Sequence, residues 1–85
     1  MKSRINKLEY TYNLRYKIEY YYKNKKRHRD GDLPAAIFKS GTRIWYKDGL
    51  EHRDNNKPTM ISDGKMYWYK DDMYIKDTCN EIENK

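Results

Sequence analysis

Two copies of the triplet His-Arg-Asp, His28-Arg29-Asp30 and His52-Arg53-Asp54, are the residues best suited to chemistry in this sequence. A cation beside a carboxylate is the order that opens a phosphoryl-transfer catalytic loop, where the aspartate takes the proton of the attacking hydroxyl. That reaction also needs a Gly-rich phosphate cradle, and the sequence has none. A chain of 85 residues is too short for such an enzyme, and an active site would not be copied at a fixed period. Two histidines could begin a metal site, but no third ligand keeps their spacing. Asp30-Gly31-Asp32 is too brief for a calcium loop. With one cysteine, Cys79, an internal disulfide is impossible and zinc has too few thiols. Neither a cofactor nor an enzymatic activity is expected.

Charge offers a different chemistry, that of binding. Lys23, Lys25, Lys26, Arg27 and Arg29 place five cations in seven residues, directly after Tyr20, Tyr21 and Tyr22. The cluster is local. Residues 1–29 hold ten Lys/Arg and two Glu, a net +8, whereas residues 30–85 hold nine Lys/Arg and eleven Asp/Glu, a net −2. The corresponding stretch one unit later, Lys47–Arg53, contains Asp48 and Glu51 and is neutral, so the scaffold does not require the charge. Cations beside aromatic rings can hold phosphates and stack bases or dock on an acidic protein surface.

The elements that position these groups come from an internal repeat. Residues 28–51, HRDGDLPAAIFKSGTRIWYKDGLE, align with residues 52–73, HRDNNKPTMISDGKMYWYKDDM. Pro34 recurs as Pro58, Gly41 as Gly64, and Trp45-Tyr46-Lys47-Asp48 as Trp68-Tyr69-Lys70-Asp71, with one residue missing between Pro and Gly in the second copy. Each unit reads as a hairpin: Ala35–Phe38, a turn at Lys39-Ser40-Gly41, then Thr42–Tyr46 and a second turn at Lys47-Asp48-Gly49. Gly41, Gly49 and Gly64 are expected at positive φ. Pro34 and Pro58, which lack an N–H donor, belong at strand starts or edges. Trp45 and Trp68 are expected in the core. Tyr46 and Tyr69 point the other way and offer an exposed aromatic ladder.

Upstream, Leu8, Tyr10, Tyr12, Leu14, Tyr16, Ile18, Tyr20 and Tyr22 alternate with polar residues, which predicts strand with one face buried. Such a run is either one bent strand or a hairpin folded near Asn13-Leu14. The whole is expected to be one all-β domain over 1–85, an antiparallel hairpin array. It divides into N-terminal strands with a degenerate first unit (5–27), two repeats (28–51 and 52–73), and a C-terminal cap with a short polar tail (74–85). Thr78 and Glu81 could form a capping box in that tail. At His-Arg-Asp, Arg29/Arg53 and Asp30/Asp54 are expected to pair within or between units, with the Asp closing the following turn.

The segment Gly41-Thr42-Arg43-Ile44-Trp45-Tyr46-Lys47-Asp48-Gly49-Leu50-Glu51-His52 resembles the MORN repeat in its order of Gly, Trp, Gly and His, over about residues 20–73. Where that pattern places a Gly after the His, this chain has Arg53. The His-Arg-Asp-x-x-x-Pro variant looks like repeats in proteins of phages and large DNA viruses, and the Lys-, Asn- and Tyr-rich composition suits an AT-rich genome. The resemblance implies a hairpin scaffold for protein contacts, and in MORN arrays also for membrane lipids, a role that Arg53 argues against.

These readings converge on a small non-enzymatic binding protein, virus-encoded, that binds and inhibits a host protein complex, such as a defence system in the anti-CRISPR manner. The expected partner is an acidic protein surface of that complex. Residues proposed to meet it are Lys23, Lys25, Lys26, Arg27, Arg29, Tyr20, Tyr22, Tyr46, Tyr69 and Arg53. The alternatives are a nucleic-acid-binding module using the basic third and a peripheral membrane binder. The N-terminal Met1–Lys7 has charge but no apolar run behind it, and the apolar stretch Pro34–Phe38 is far too short to cross a bilayer. With one cysteine, a reducing compartment follows, the cytoplasm of the host cell.

Overall fold

Three equivalent two-residue turns, each following a Tyr-Lys pair, set the frame. Asn24-Lys25 (φ 53° and 66°), Asp48-Gly49 (51° and 90°) and Asp71-Asp72 (49° and 71°) all hold both residues in the left-handed region. That pair of conformations matches the right-handed twist of the flanking strands and closes the tightest hairpin. The computed structural model describes residues 7–78 as ten strands: β1 (Leu8–Asn13), β2 (Ile18–Lys23), β3 (Lys26–Arg27), β4 (Ala36–Phe38), β5 (Arg43–Ile44), β6 (Tyr46–Lys47), β7 (Leu50–Glu51), β8 (Met60–Ser62), β9 (Lys65–Lys70) and β10 (Met73–Asp77). All pairings are antiparallel. The main sheet runs β1-β2-β4-β5-β8-β9-β10, with β3 sharing an edge of β2 with β4, while β6-β7 forms a separate ribbon.

The three turns carry one register. Tyr22 faces Arg27, Tyr46 faces Glu51 and Tyr69 faces Tyr74, each one pair in from its turn. The backbone bonds around the long strands repeat too. Tyr21 N–H donates to Ala35 O (2.8 Å) and Trp45 N–H to Thr59 O (2.8 Å), while Tyr21 and Trp45 carbonyls accept His28 and His52 N–H (3.1 Å each). Successive turns are tied in turn: Gly49 N–H reaches Arg27 O (2.8 Å) and Asp72 N–H reaches Glu51 O (3.1 Å). The residue missing from the second copy is absorbed in a turn. Phe38 closes on Thr42 around Lys39-Ser40-Gly41, whereas Ser62 pairs with Lys65 around Asp63-Gly64. Ala36–Ile44 and Met60–Tyr67 therefore remain equivalent pairs despite the deletion.

The described chain measures 59 × 30 × 18 Å, so it is essentially a sheet with its loops laid on one side. Its buried residues are few: Ala35, Ala36, Trp45, His28 and Thr59. Two expectations need correction. The alternating run 8–22 is a hairpin, turning over Leu14–Lys17, and its first strand buries neither face. Leu8, Tyr10 and Tyr12 are all at least 48% exposed, because β1 lies at the sheet edge with no second layer against it. Trp68 is only half-buried, where Trp45 is 6% exposed beneath the Arg53 loop of the next unit. Residues 74–77, assigned to the cap and tail, continue the last unit as most of β10. Glu81 and Cys79 lie outside the described residues, and with them the capping box and the polar tail.

Candidate functional site

The His-Arg-Asp loops are clamps of the scaffold. Arg29 lies 3.7 Å above the Tyr21 ring and donates to Pro34 O (3.2 Å). Arg53 lies 3.8 Å above the Trp45 ring and donates to Pro58 O (3.0 Å). Each arginine thus closes its own loop onto the proline carbonyl, the one acceptor that a residue without N–H still offers. The indoles answer in the same way, Trp45 Nε1 donating to Asp32 O (3.1 Å) and Trp68 Nε1 to Asn56 O (2.9 Å). Over Trp68 the array has run out of arginines, and Lys76 Nζ takes the place at 4.7 Å.

The expected Arg–Asp pairing within the triplet does not form. Asp30 and Asp54 bind the histidines, at 2.7 Å from His28 Nε2 and 3.0 Å from His52 Nε2. The reason is geometric: the arginine is already committed to a ring and a carbonyl on the sheet side of the loop. His28 Nδ1 accepts Asp48 N–H (2.9 Å), so the imidazole carries its proton on Nε2 and ties the triplet to the next tight turn. The equivalent His52 Nδ1 is buried with no hydrogen-bond partner among the described residues, 3.3 Å from Asp71 Oδ1. Arg53 instead finds Asp32 of the preceding loop, at 2.9 Å through Nε and 3.3 Å through Nη2, and Lys57 joins at 2.9 Å. Hydrogen bonds from Arg53 and then Lys57 hold the Asp32 carboxyl at about 2.

The basic cluster divides among three environments. Lys23 Nζ sits 3.5 Å from Asp30 Oδ2, and Arg29 is stacked as described. Arg27 crosses to the other face, 4.7 Å from the Tyr20 ring and 5.4 Å from Tyr46. Partial burial works against its charge, but Tyr46 and Tyr20 outweigh it and raise the guanidinium pKa. Lys25 and Lys26 remain at the tip, with no ion pair among the described residues. Lys25 holds φ 66° where the next turn has Gly49 at 90°. A long side chain there is disfavoured by roughly 1 kcal/mol relative to residues that enter this region freely.

Tyr20, Tyr22, Tyr46 and Tyr69 share the face opposite the clamps, all half-buried. They are therefore less open than an exposed ladder. Tyr20 and Tyr22 pack at 6.1 Å between centroids, Arg27 bridges to Tyr46, and Tyr69 meets Tyr74 edge-on at 5.6 Å. Burial raises the Tyr46 pKa, with Arg27 opposing. Arg53, proposed for a partner, is spent on Trp45, Pro58 and Asp32 inside the molecule.

Sequence reasoning missed Asp32, Lys76 and Thr59. Thr59 is 1% exposed; its hydroxyl donates to Glu51 Oε2 (3.1 Å) and accepts Tyr69 N–H (3.0 Å). The repeat held a signal: Thr59 aligns with Ala35 and Glu51 with Arg27, so both partners change together between units. Gly41, Gly49 and Gly64 do adopt positive φ, at 103°, 90° and 79°. Pro34 and Pro58 each lie two residues ahead of a strand. Among the described residues no helix is long and apolar enough to cross a membrane. No protein-family model, curated protein or solved structure matches the chain.

Proposed function

We propose that the chain is a non-enzymatic binding module that docks on an acidic protein surface through the tip of its first tight turn. One observation carries the reading. Lys25 occupies a left-handed turn position that the second turn gives to Gly49 and the third to the short Asp72, and it does so with Lys26 beside it and no ion-pair partner for either among the described residues. The fold gains nothing from that choice, whereas an anionic partner does. Arg27 and the Tyr20–Tyr22–Tyr46 rings behind the tip supply amphipathic contact area with little entropy to lose. The likeness to virus-type repeats adds that the partner is a host complex and that binding blocks it, in the anti-CRISPR manner.

The test is parallel affinity capture from host extract with the wild type and with Lys25→Glu/Lys26→Glu, followed by mass spectrometry. The reading expects one protein complex recovered by the wild type and lost by the double variant. It fails if the variant recovers the same complex. It also fails if the wild type instead holds single-stranded oligonucleotides with the steep salt dependence of phosphate contacts, or needs anionic vesicles.

A further inference from the structure

We infer that the outer edge of β1 is a strand-addition site for an extended, acid-flanked segment of another protein. The pairing of β2 fixes which backbone groups of β1 are open. On its far side Lys23 pairs with Lys26 across the tight turn, and Tyr21 bonds to Ala35 and His28. The odd residues of β2 therefore turn away from β1. Its even positions serve β1, as Asn24 N–H to Lys7 O (2.8 Å) begins to show. In an antiparallel ladder inward- and outward-bonding residues alternate. Glu9, Thr11 and Asn13 consequently spend their amides on β2, and Leu8, Tyr10 and Tyr12 present theirs to the open edge.

β1 has no proline and no bulge over its six residues, the devices by which sheet proteins discourage edge pairing. The opposite edge has one, the register shift between Tyr74 and Lys76 in β10. The side chains beside the open amides are apolar, and a shallow cavity of about 380 Å³ adjoins them, lined by Leu8, Tyr10, Tyr21 and Tyr22 and by the charged Glu9, Arg29 and Asp30. An added strand would seat alternate apolar residues on that face.

Charge selects the occupant. Lys25 stands beside Glu9 and Tyr22 at one end of β1, and Arg15 and Lys17 stand in the turn at the other. A second copy of this chain would bring the same cations against themselves. An extended segment carrying Asp or Glu at both ends meets them favourably. The inference shares Lys25 with the turn tip but rests on the edge amides of β1, so it fails separately from the proposed function. Lys25→Glu/Lys26→Glu leaves the edge amides in place, and a block at Tyr10 leaves the turn lysines in place.

The probe is a synthetic peptide of alternating Val and Thr, about nine residues long to match a strand of this length, with two Asp at one end and two Glu at the other. The expected result is that saturating peptide slows amide exchange at Leu8, Tyr10 and Tyr12 but not at already paired Thr11. A Lys-flanked version should bind at least ~10-fold more weakly. Tyr10→Pro removes an outward N–H, which edge strands tolerate, together with the ring that packs on Tyr21 at 5.0 Å, whereas Tyr10→Thr removes the ring and keeps the N–H. Tyr10→Pro should abolish binding with a melting temperature close to that of Tyr10→Thr, which binds within about threefold of wild type because the main-chain bonds carry the affinity. Unprotected Leu8, Tyr10 and Tyr12 amides at saturation, or equal binding of the Lys-flanked peptide, would overturn the inference. So would protection of these amides in the free protein that grows with protein concentration, which would make the occupant a second copy.

Discussion

Arg53→Ala removes a stack, a carbonyl bond and an ion pair, and the structure allows each to be weighed. The guanidinium lies 3.8 Å above Trp45 and is largely shielded from water, so the cation–π contact is worth about 1 kcal/mol. The bond to Pro58 O, at 3.0 Å from a charged donor, adds about 1.5 kcal/mol. Asp32 is 42% exposed and keeps Lys57 at 2.9 Å, so its pairing with Arg53 contributes only about 0.5 kcal/mol. The sum is about 3 kcal/mol, which for a domain of this size lowers the melting temperature by roughly 12–24 °C. Arg29→Ala loses an equivalent stack and the bond to Pro34 O at 3.2 Å, with no carboxylate, and should cost about 2.5 kcal/mol. Urea melts followed by far-ultraviolet circular dichroism measure both without relying on tryptophan emission. Because stack and carbonyl bond dominate, about 1 M salt should leave most of either effect intact. An Arg53→Ala cost below about 1 kcal/mol would refute this assignment. So would a cost that mostly vanishes in salt, or an Arg53→Lys variant as stable as wild type, since a lysine lacks the planar fork.

Trp45→Ala should destabilise by about 3–5 kcal/mol and the half-buried Trp68→Ala by clearly less, about 1–2 kcal/mol, in the same melts. Lys25→Gly should stabilise by about 0.5–1 kcal/mol, since glycine enters the left-handed region freely, and should weaken capture of an acidic partner. Nuclear magnetic resonance titration of Asp32 should give a pKa of about 2. In Arg53→Ala that value should rise toward the ordinary ~3.9. The folded pKa lies below the unfolded one, so Asp32 contributes stability above about pH 4–5 that is lost as pH falls towards its folded value. Loss of stability confined to alkaline pH would contradict the sign.

The repeat frame was legible because its signals are local. Asp48-Gly49 and the Trp-Tyr-Lys-Asp tetrads mark turns and strands whose partners lie a few residues away. The fate of the His-Arg-Asp side chains was not. Arg53 can reach Asp30, Asp54 or Asp32 with equal plausibility on paper, and only the height of the loop above the Trp45 ring selects Asp32, twenty-one residues upstream. The alternation over 8–22 was read correctly as strand and wrongly as a buried face. Period two reports which side chains share a side, not whether anything lies over it. At the basic turn the sequence showed five cations together; it could not show that three of them are engaged inside the molecule and two are left at the tip.

The links between successive tight turns, Gly49 to Arg27 and Asp72 to Glu51, bear on how the chain acquires and loses its shape. Among the three equivalent turns of the described residues, the middle one is linked to both of the others. Each outer turn is linked to the middle one, the first being held also by Lys7 ahead of β1, and no strand partner is further away than Phe38 is from Ile18, so loop closure is cheap and rapid folding is favoured. In a linear array of this kind stability adds up unit by unit and between neighbours. Order should therefore spread outwards from the Asp48-Gly49 hairpin, and opening should begin at the ends. The exchange of amides in β1 then measures a local opening rather than global unfolding. The strand with the most exposed edge is also the one the molecule can most readily spare.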